Sequence, residues 1–108
     1  AARFASVFEL AGATVTLHDA YGSWPPDPDS TLLATMQQVY ARLFSAEPIV
    51  SAIHAGLETS VAGVKYPGLD MISIGPTIVD VHSPDERMEI ATVQKVYDLL
   101  TATLAALQ

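Results

Sequence analysis

The sequence contains no cysteine, which excludes disulfide bonds and cysteine-based zinc sites. Any transition metal bound by this chain would need histidine and carboxylate ligands. Basic residues are also scarce, because 5 Lys and Arg stand against 12 Asp and Glu and give a net charge of −7. That balance argues against nucleic acid and anionic membrane surfaces as partners. No apolar run approaches the roughly 20 residues of a membrane-spanning helix.

The apolar content is high for so short a chain. Half of the 108 residues are hydrophobic, and the mean hydropathy is +0.32. This length fits one small domain, but the composition better suits part of a larger protein, in which the apolar surfaces are covered. The chain begins Ala1-Ala2-Arg3, without an initiator methionine and already inside a helical pattern. We therefore expect a domain or an internal segment of a longer protein.

The first 29 residues predict a helix, a strand and an extended connection. Apolar residues recur at helical spacing over residues 3–11, and Gly12 is a typical helix terminator. Residues 13–18 alternate between apolar and polar, which predicts a half-buried strand. Three prolines fall within residues 22–29 and disfavour helix and central strand alike. This stretch is either a domain junction or an ordinary loop.

Helices and apolar strands alternate in the remainder. Ser30 is a suitable N-cap for a helix that Pro48 would close. The predicted buried stripe of this helix comprises Leu32, Met36, Val39, Tyr40, Leu43 and Phe44. Short apolar strands are predicted over residues 49–53 and 69–74, with helical turns between them over residues 56–63. The last helix has Thr92 as its predicted N-cap, and its apolar stripe comprises Ile90, Val93, Val96, Tyr97, Leu100, Leu104 and Leu107. This order predicts an α/β fold, as part of a helix-covered mixed or parallel sheet.

His82 is the first candidate for chemistry. It follows the apolar run of residues 69–74 and the break Gly75-Pro76, and α/β enzymes bind ligands where such strands end. A neutral imidazole is the commonest metal ligand, and it needs a partner that fixes its tautomer. Such a partner could come from the nearby residues Asp80, Ser83, Asp85 and Glu86. Taken alone, however, a single histidine among acids is more often a surface-loop residue without a function.

His54 and Glu58 form the second candidate pair. Their spacing would place them on one helical face, although Gly56 between them disfavours a continuous helix. They are either half of a metal site or simply a polar helix start. Gly75 could expose backbone groups to a substrate, or it could simply terminate the strand.

These same residues carry a resemblance to a known family. The strings Ile53-His54-Ala55-Gly56-Leu57-Glu58 and His82-Ser83-Pro84-Asp85-Glu86 resemble the C-terminal part of the bacterial aminoacyl-histidine dipeptidases, which are cytosolic di-zinc peptidases of the M20 family. The resemblance implies that His82 binds one zinc ion of a pair. It also implies that Glu58 faces the α-amino group of the substrate, with His54 at the rim of the site. Thr59-Ser60 stands where the family commonly has Cys-Gly.

The resemblance further implies how the chain is organised. Residues 1–21 would end a lid or dimerisation domain, residues 22–29 would cross between domains, and residues 30–108 would be the C-terminal part of the catalytic domain. The strand over residues 13–18 would then lack its sheet and form an unpaired edge. The implied parent is a cytoplasmic homodimer that binds two Zn²⁺ per chain and hydrolyses short peptides such as β-alanyl-histidine.

Several motifs of that chemistry are absent from this sequence. A di-zinc peptidase needs about five or six protein ligands and a general base, yet the sequence has neither His-x-Asp nor Glu-Glu. The N-terminal part of the same enzyme would have to supply them, so we expect this chain alone to be inactive. Two alternatives stay open, namely a non-catalytic α/β interaction domain and another M20-type peptidase or deacylase.

Overall fold

A computed structural model describes residues 2–18, 22–53 and 56–108. Over these residues the chain forms four helices, α1 (Ala2–Leu10), α2 (Thr31–Phe44), α3 (Glu58–Lys65) and α4 (Ala91–Ala106), and one antiparallel pair of strands, β1 (Ile78–Val79) and β2 (Arg87–Met88). None of the helices in the described part is long and apolar enough to cross a membrane. The fold is therefore helix-rich, with a small antiparallel sheet.

The three predicted strands are not formed in this chain. Residues 13–18, 49–53 and 69–74 have no regular secondary structure, and the parallel sheet predicted from them is absent among the described residues. Alternating or continuous apolar residues show which segment can enter a sheet. A strand, however, also needs a neighbour that satisfies its backbone hydrogen bonds. The described residues do not supply that neighbour.

The core lies between α2 and α4. Met36 and Val39 from α2 and Leu99 from α4 are its buried hydrophobic residues within the described ranges. Partly buried hydrophobic side chains surround them, namely Tyr40, Phe44, Ile72 and Ala102. The predicted buried stripe of α2 is thus confirmed at its centre.

Lys95 of α4 closes one side of this core. Its ammonium group lies 4.6 Å from the centre of the Phe44 ring and 5.0 Å from that of Tyr40. It also donates a hydrogen bond of 2.9 Å to the Tyr40 hydroxyl. The two rings meet edge to face, with their centres 4.8 Å apart. Cation–π attraction therefore adds to the apolar packing between the two helices.

The helix boundaries agree with the sequence at some ends and differ at others. Ser30 caps α2 as predicted, because its hydroxyl accepts the Leu33 N–H at 2.9 Å. The helix ends at Phe44, where Ser45 adopts a left-handed conformation, so Pro48 is not its terminator. Thr92 is not the N-cap of α4, which already begins at Ala91.

Helix α4 buries a different face from the one predicted. Leu99 and Thr103 are buried against α2, whereas the predicted stripe members Tyr97 and Leu104 are 61% and 56% exposed. Both stripes recur at helical spacing and are apolar enough to be buried. A helix that is hydrophobic on more than one side is typical of the interior of a larger protein.

Incomplete burial is also evident in helix α1 and in the large radius of gyration of the chain. The predicted stripe of α1 is exposed, with Phe4 at 74%, and no residue of this helix is buried. The radius of gyration is 18.5 Å, whereas a compact domain of about 100 residues has about 13 Å. The chain thus folds around a small core and leaves large apolar surfaces open.

Candidate functional site

A small β-hairpin presents His82. Ile78 pairs with Met88 and Val79 with Arg87 in an antiparallel register. The Glu89 N–H donates to the Thr77 carbonyl at 2.9 Å and extends the ladder by one step. Residues 80–86 form the connecting loop, and His82 lies near its middle. The Gly75-Pro76 break therefore leads into a hairpin rather than directly into a polar loop.

Two residues of this loop adopt a strained backbone conformation. Asp80 has a φ of 54° and His82 a φ of 63°. Asp and His tolerate the left-handed region better than most residues, but each such position still costs about 1–2 kcal/mol. Conformations of this kind persist only where the surroundings enforce them, and they are concentrated at functional sites.

Hydrogen bonds within the loop enforce this conformation. The Ser83 N–H donates to the Asp80 carbonyl at 3.2 Å, and the Glu86 N–H donates to the Ser83 carbonyl at 3.2 Å. The Ser83 hydroxyl also donates to the Asp80 carbonyl at 2.7 Å and accepts the Asp85 N–H at 3.1 Å. An ion pair of 3.1 Å between Arg87 and Asp80 closes the base of the loop. The loop is thus held by polar contacts, since all its residues are exposed.

The acidic neighbours of His82 do not bind its imidazole. The Glu86 carboxylate accepts the backbone N–H of His82 at 2.8 Å, and the Asp80 carboxylate pairs with Arg87. The sequence predicted that one of these groups would orient the ring. Instead, Glu86 binds the backbone of His82 itself, and Asp80 closes the base of the loop through Arg87.

Thr92 joins the hairpin to the start of α4. Its hydroxyl accepts the Thr77 N–H at 2.9 Å and donates to the Glu89 carbonyl at 2.7 Å. Thr77 and Glu89 are the residues that extend the hairpin ladder. The residue predicted as a helix cap therefore fastens both strands of the hairpin to the helix.

The other predicted site residues lie on separate elements. Glu58 is the first residue of α3 and is exposed. Gly75 is exposed in the segment before β1, does not use a positive φ, and has no neighbour where a side chain would begin. Its position therefore does not require glycine within this chain. His54 lies outside the described residues.

Asp70 is a structural residue that the sequence analysis missed. Its carboxylate accepts the Ser30 hydroxyl at 2.6 Å and the Leu32 N–H at 2.9 Å, so it binds the first turn of α2. These hydrogen bonds, that of Ser30 first, lower the pKa of Asp70 below its usual value. A partner 40 residues away along the chain gives no local sequence signal.

A cleft of about 270 Å³ lies beside the contact between Asp70 and the first turn of α2. Trp24 and Pro25 line one side, and Tyr66, Leu69 and Met71 line the other. Gly22 approaches α3 so closely that a side chain there would overlap Val64. The connection over residues 22–29 therefore packs against α3 and the segment that follows it.

The described residues do not form a complete metal site. No group of three or more His, Asp or Glu side chains in the described ranges could hold a metal ion. His82 is exposed in the hairpin loop, and a zinc site needs further ligands besides one imidazole. The role of His82 as a metal ligand therefore stays a prediction.

Comparison with known proteins gives two closely agreeing results. The crystal structure of the aminoacylhistidine dipeptidase from Vibrio alginolyticus matches with a TM-score of 0.75 and 43% identity, covering 97% of this chain and 21% of that one. The cytosol non-specific dipeptidase of Escherichia coli (strain K12) is 43% identical over 99 residues, which are 92% of this chain and 20% of that protein. No protein-family model matches the chain.

The chain spans about one fifth of the length of these relatives. The similarity in sequence and in backbone extends over nearly all residues of this chain. The predicted resemblance is therefore confirmed, and the chain is a relative of the aminoacyl-histidine dipeptidases that corresponds to one segment of such a protein.

Proposed function

We propose that this chain is the C-terminal portion of a zinc-dependent dipeptidase that hydrolyses Xaa-His dipeptides such as β-alanyl-histidine. The observation that carries the proposal is the 43% identity to two dipeptidases over more than nine tenths of the chain. The ordered presentation of His82 supports it further, because a loop conformation that is costly and enforced by side chains is typical of a functional site.

His82 is the proposed metal ligand of this segment. Two Zn²⁺ ions in the complete protein would supply a bound water of lowered pKa and polarise the scissile carbonyl. His82 would contribute one imidazole to that centre, and the remaining ligands and the general-base glutamate would come from the N-terminal part. Because one imidazole cannot hold a metal pair, the isolated chain should be inactive.

Glu58 is proposed to bind the free α-amino group of the substrate. It is exposed at the first position of α3, and an ammonium group that has lost its water needs a carboxylate partner. His54 and Gly75 are proposed at the rim of the same site. The open space around Gly75 would allow a substrate backbone to approach its peptide groups.

The open apolar surfaces support the proposed place of the segment in a larger protein. Residues 30–108 would be completed by the N-terminal part of the catalytic domain, which would cover the exposed stripe of α4 and pair with residues 49–53 and 69–74 in a helix-covered sheet. Residues 1–21 would belong to a lid domain and residues 22–29 to the crossing. The parent would be cytoplasmic, since the related Escherichia coli protein is named a cytosol dipeptidase, and the family resemblance implies that it would be a homodimer.

Zinc content and carnosine hydrolysis, measured on this chain and on the full-length parent in parallel, test the proposal. We expect two zinc ions and turnover in the parent, and little zinc and no turnover in the chain alone. Tight zinc binding or hydrolysis by the chain alone would contradict the assignment of a partial site.

Substitution of His82 tests the assigned ligand in the parent. His82→Asn removes the imidazole but retains a residue that accepts a positive φ, so the hairpin should persist while activity and one zinc ion are lost. Val81→Ala is the matched control, because Val81 is the exposed neighbour in the same loop. Near-normal turnover of the His82→Asn protein would refute the assignment.

A further inference from the structure

The side chain of Glu86 acts on the backbone of His82. Its carboxylate oxygen accepts the His82 N–H at 2.8 Å across the tip of the hairpin loop. Acceptance by an ionised carboxylate makes this hydrogen bond stronger than one to a neutral group. The contact lies at His82, whose φ of 63° departs from the backbone conformation of an ordinary strand.

No apolar packing substitutes for this contact. Every residue from 80 to 86 is exposed, so hydrogen bonds and the Asp80–Arg87 ion pair determine the conformation of the loop. Ser83 ties down the Asp80 side of the loop. Among the described residues, the Glu86 carboxylate is the group that binds His82 itself.

We propose that Glu86 is a positioning residue, whose carboxylate holds the His82 backbone in its left-handed conformation and thereby aims the imidazole at its metal. This inference rests on the proposed function, since it assumes that His82 is a ligand. It differs from the usual arrangement, in which a carboxylate accepts a hydrogen bond from the ligand ring itself. Here the orientation is set through the main chain.

Three substitutions in the full-length parent separate this role from a general effect of charge. Glu86→Ala removes the acceptor, and Glu86→Gln retains an acceptor oxygen without the charge. Glu89→Ala is the matched control, because Glu89 lies on the same hairpin and the structure gives its carboxylate no hydrogen bond among the described residues. All three variants keep the His82 side chain.

Two measurements are needed, and neither depends on activity. The first is zinc affinity, by competition with a chromophoric chelator. The second is deuterium uptake of the hairpin peptide in the metal-free protein. We expect Glu86→Ala to weaken the binding of one zinc ion by about 10–100-fold and to abolish protection of the His82 amide. Glu86→Gln should lose less of both, and Glu89→Ala should match the unsubstituted protein.

Several outcomes would overturn the inference. Equal zinc affinity and equal uptake for Glu86→Ala and Glu89→Ala would show that the contact positions nothing. Faster deuterium uptake in Glu86→Ala without any change in its zinc affinity would show that Glu86 stabilises the loop but does not position the ligand. If Glu86→Ala does not fold, Glu86→Gln supplies the comparison. If His82→Asn keeps both zinc ions, the proposed function itself fails, which is distinct from failure of Glu86 alone.

Discussion

Leu104→Ala should destabilise the full-length parent much more than the isolated chain. Leu104 belongs to the exposed stripe of α4 and is 56% exposed, whereas Leu99 on the buried stripe is 7% exposed. If the rest of the parent covers the exposed stripe, Leu104 becomes a core residue there. The same substitution then truncates a partly exposed side chain in the isolated chain and creates a cavity in the parent.

The magnitudes follow from the two exposures. Complete burial of a leucine side chain contributes about 1.5–3 kcal/mol, and Leu104 has realised less than half of its burial in this chain. Its truncation should therefore cost no more than about 1.3 kcal/mol here. In a packed core, Leu→Ala costs about 2–5 kcal/mol because a cavity adds to the lost transfer free energy. Leu99→Ala is the control and should destabilise both proteins.

Chemical denaturation followed by circular dichroism of the helices would measure these differences. We expect Leu104→Ala to lower the free energy of unfolding of the isolated chain by no more than about 1.3 kcal/mol and that of the parent by about 2–5 kcal/mol. A small effect in both proteins would show that the stripe stays exposed in the parent. The proposed packing of α4 against the N-terminal part of the catalytic domain would then be wrong.

Three further predictions concern the isolated chain. Ser30→Ala should destabilise it by about 1 kcal/mol in chemical denaturation, because α2 loses its side-chain cap. Asp70 has a lowered pKa in the folded chain, so its contribution to stability is present at neutral pH and lost as the pH falls below about 4; unfolding followed against pH should lose this acid-sensitive component in Asp70→Asn. Thr103→Val should stabilise the chain by about 1 kcal/mol in the same denaturation assay, because the buried Thr103 hydroxyl has no hydrogen-bond partner.

Elements that depend on caps, spacing and terminators close by in the sequence could be predicted. The helix after Ser30 follows from its cap and its apolar spacing, and Gly12 follows α1 with a positive φ, as expected of a terminator. The short helix α3 was likewise expected near residues 56–63. Each of these features depends on residues within about one turn of the feature itself.

Features that depend on partners distant in sequence could not be predicted in the same way. The spacing of α4 was recognised, but Tyr97 and Leu99 lie on two apolar stripes that the sequence does not rank. The strands of the hairpin are two residues long, which is too short for any periodicity to appear. Similarly, the string around His82 led to the prediction of a metal ligand, but it gave no sign of the contact between the Glu86 carboxylate and the His82 backbone.

Helix α4 connects the two properties on which the proposed function depends. Its start holds the hairpin through the two hydrogen bonds of Thr92, and its exposed stripe offers the surface that the rest of the enzyme would cover. The helix is 16 residues long and links the hairpin rigidly to that exposed surface. The position of His82 relative to the proposed ligands on the remainder of the protein would therefore be set by how α4 packs, and a change in that packing would reach the proposed metal site without altering any residue of the hairpin.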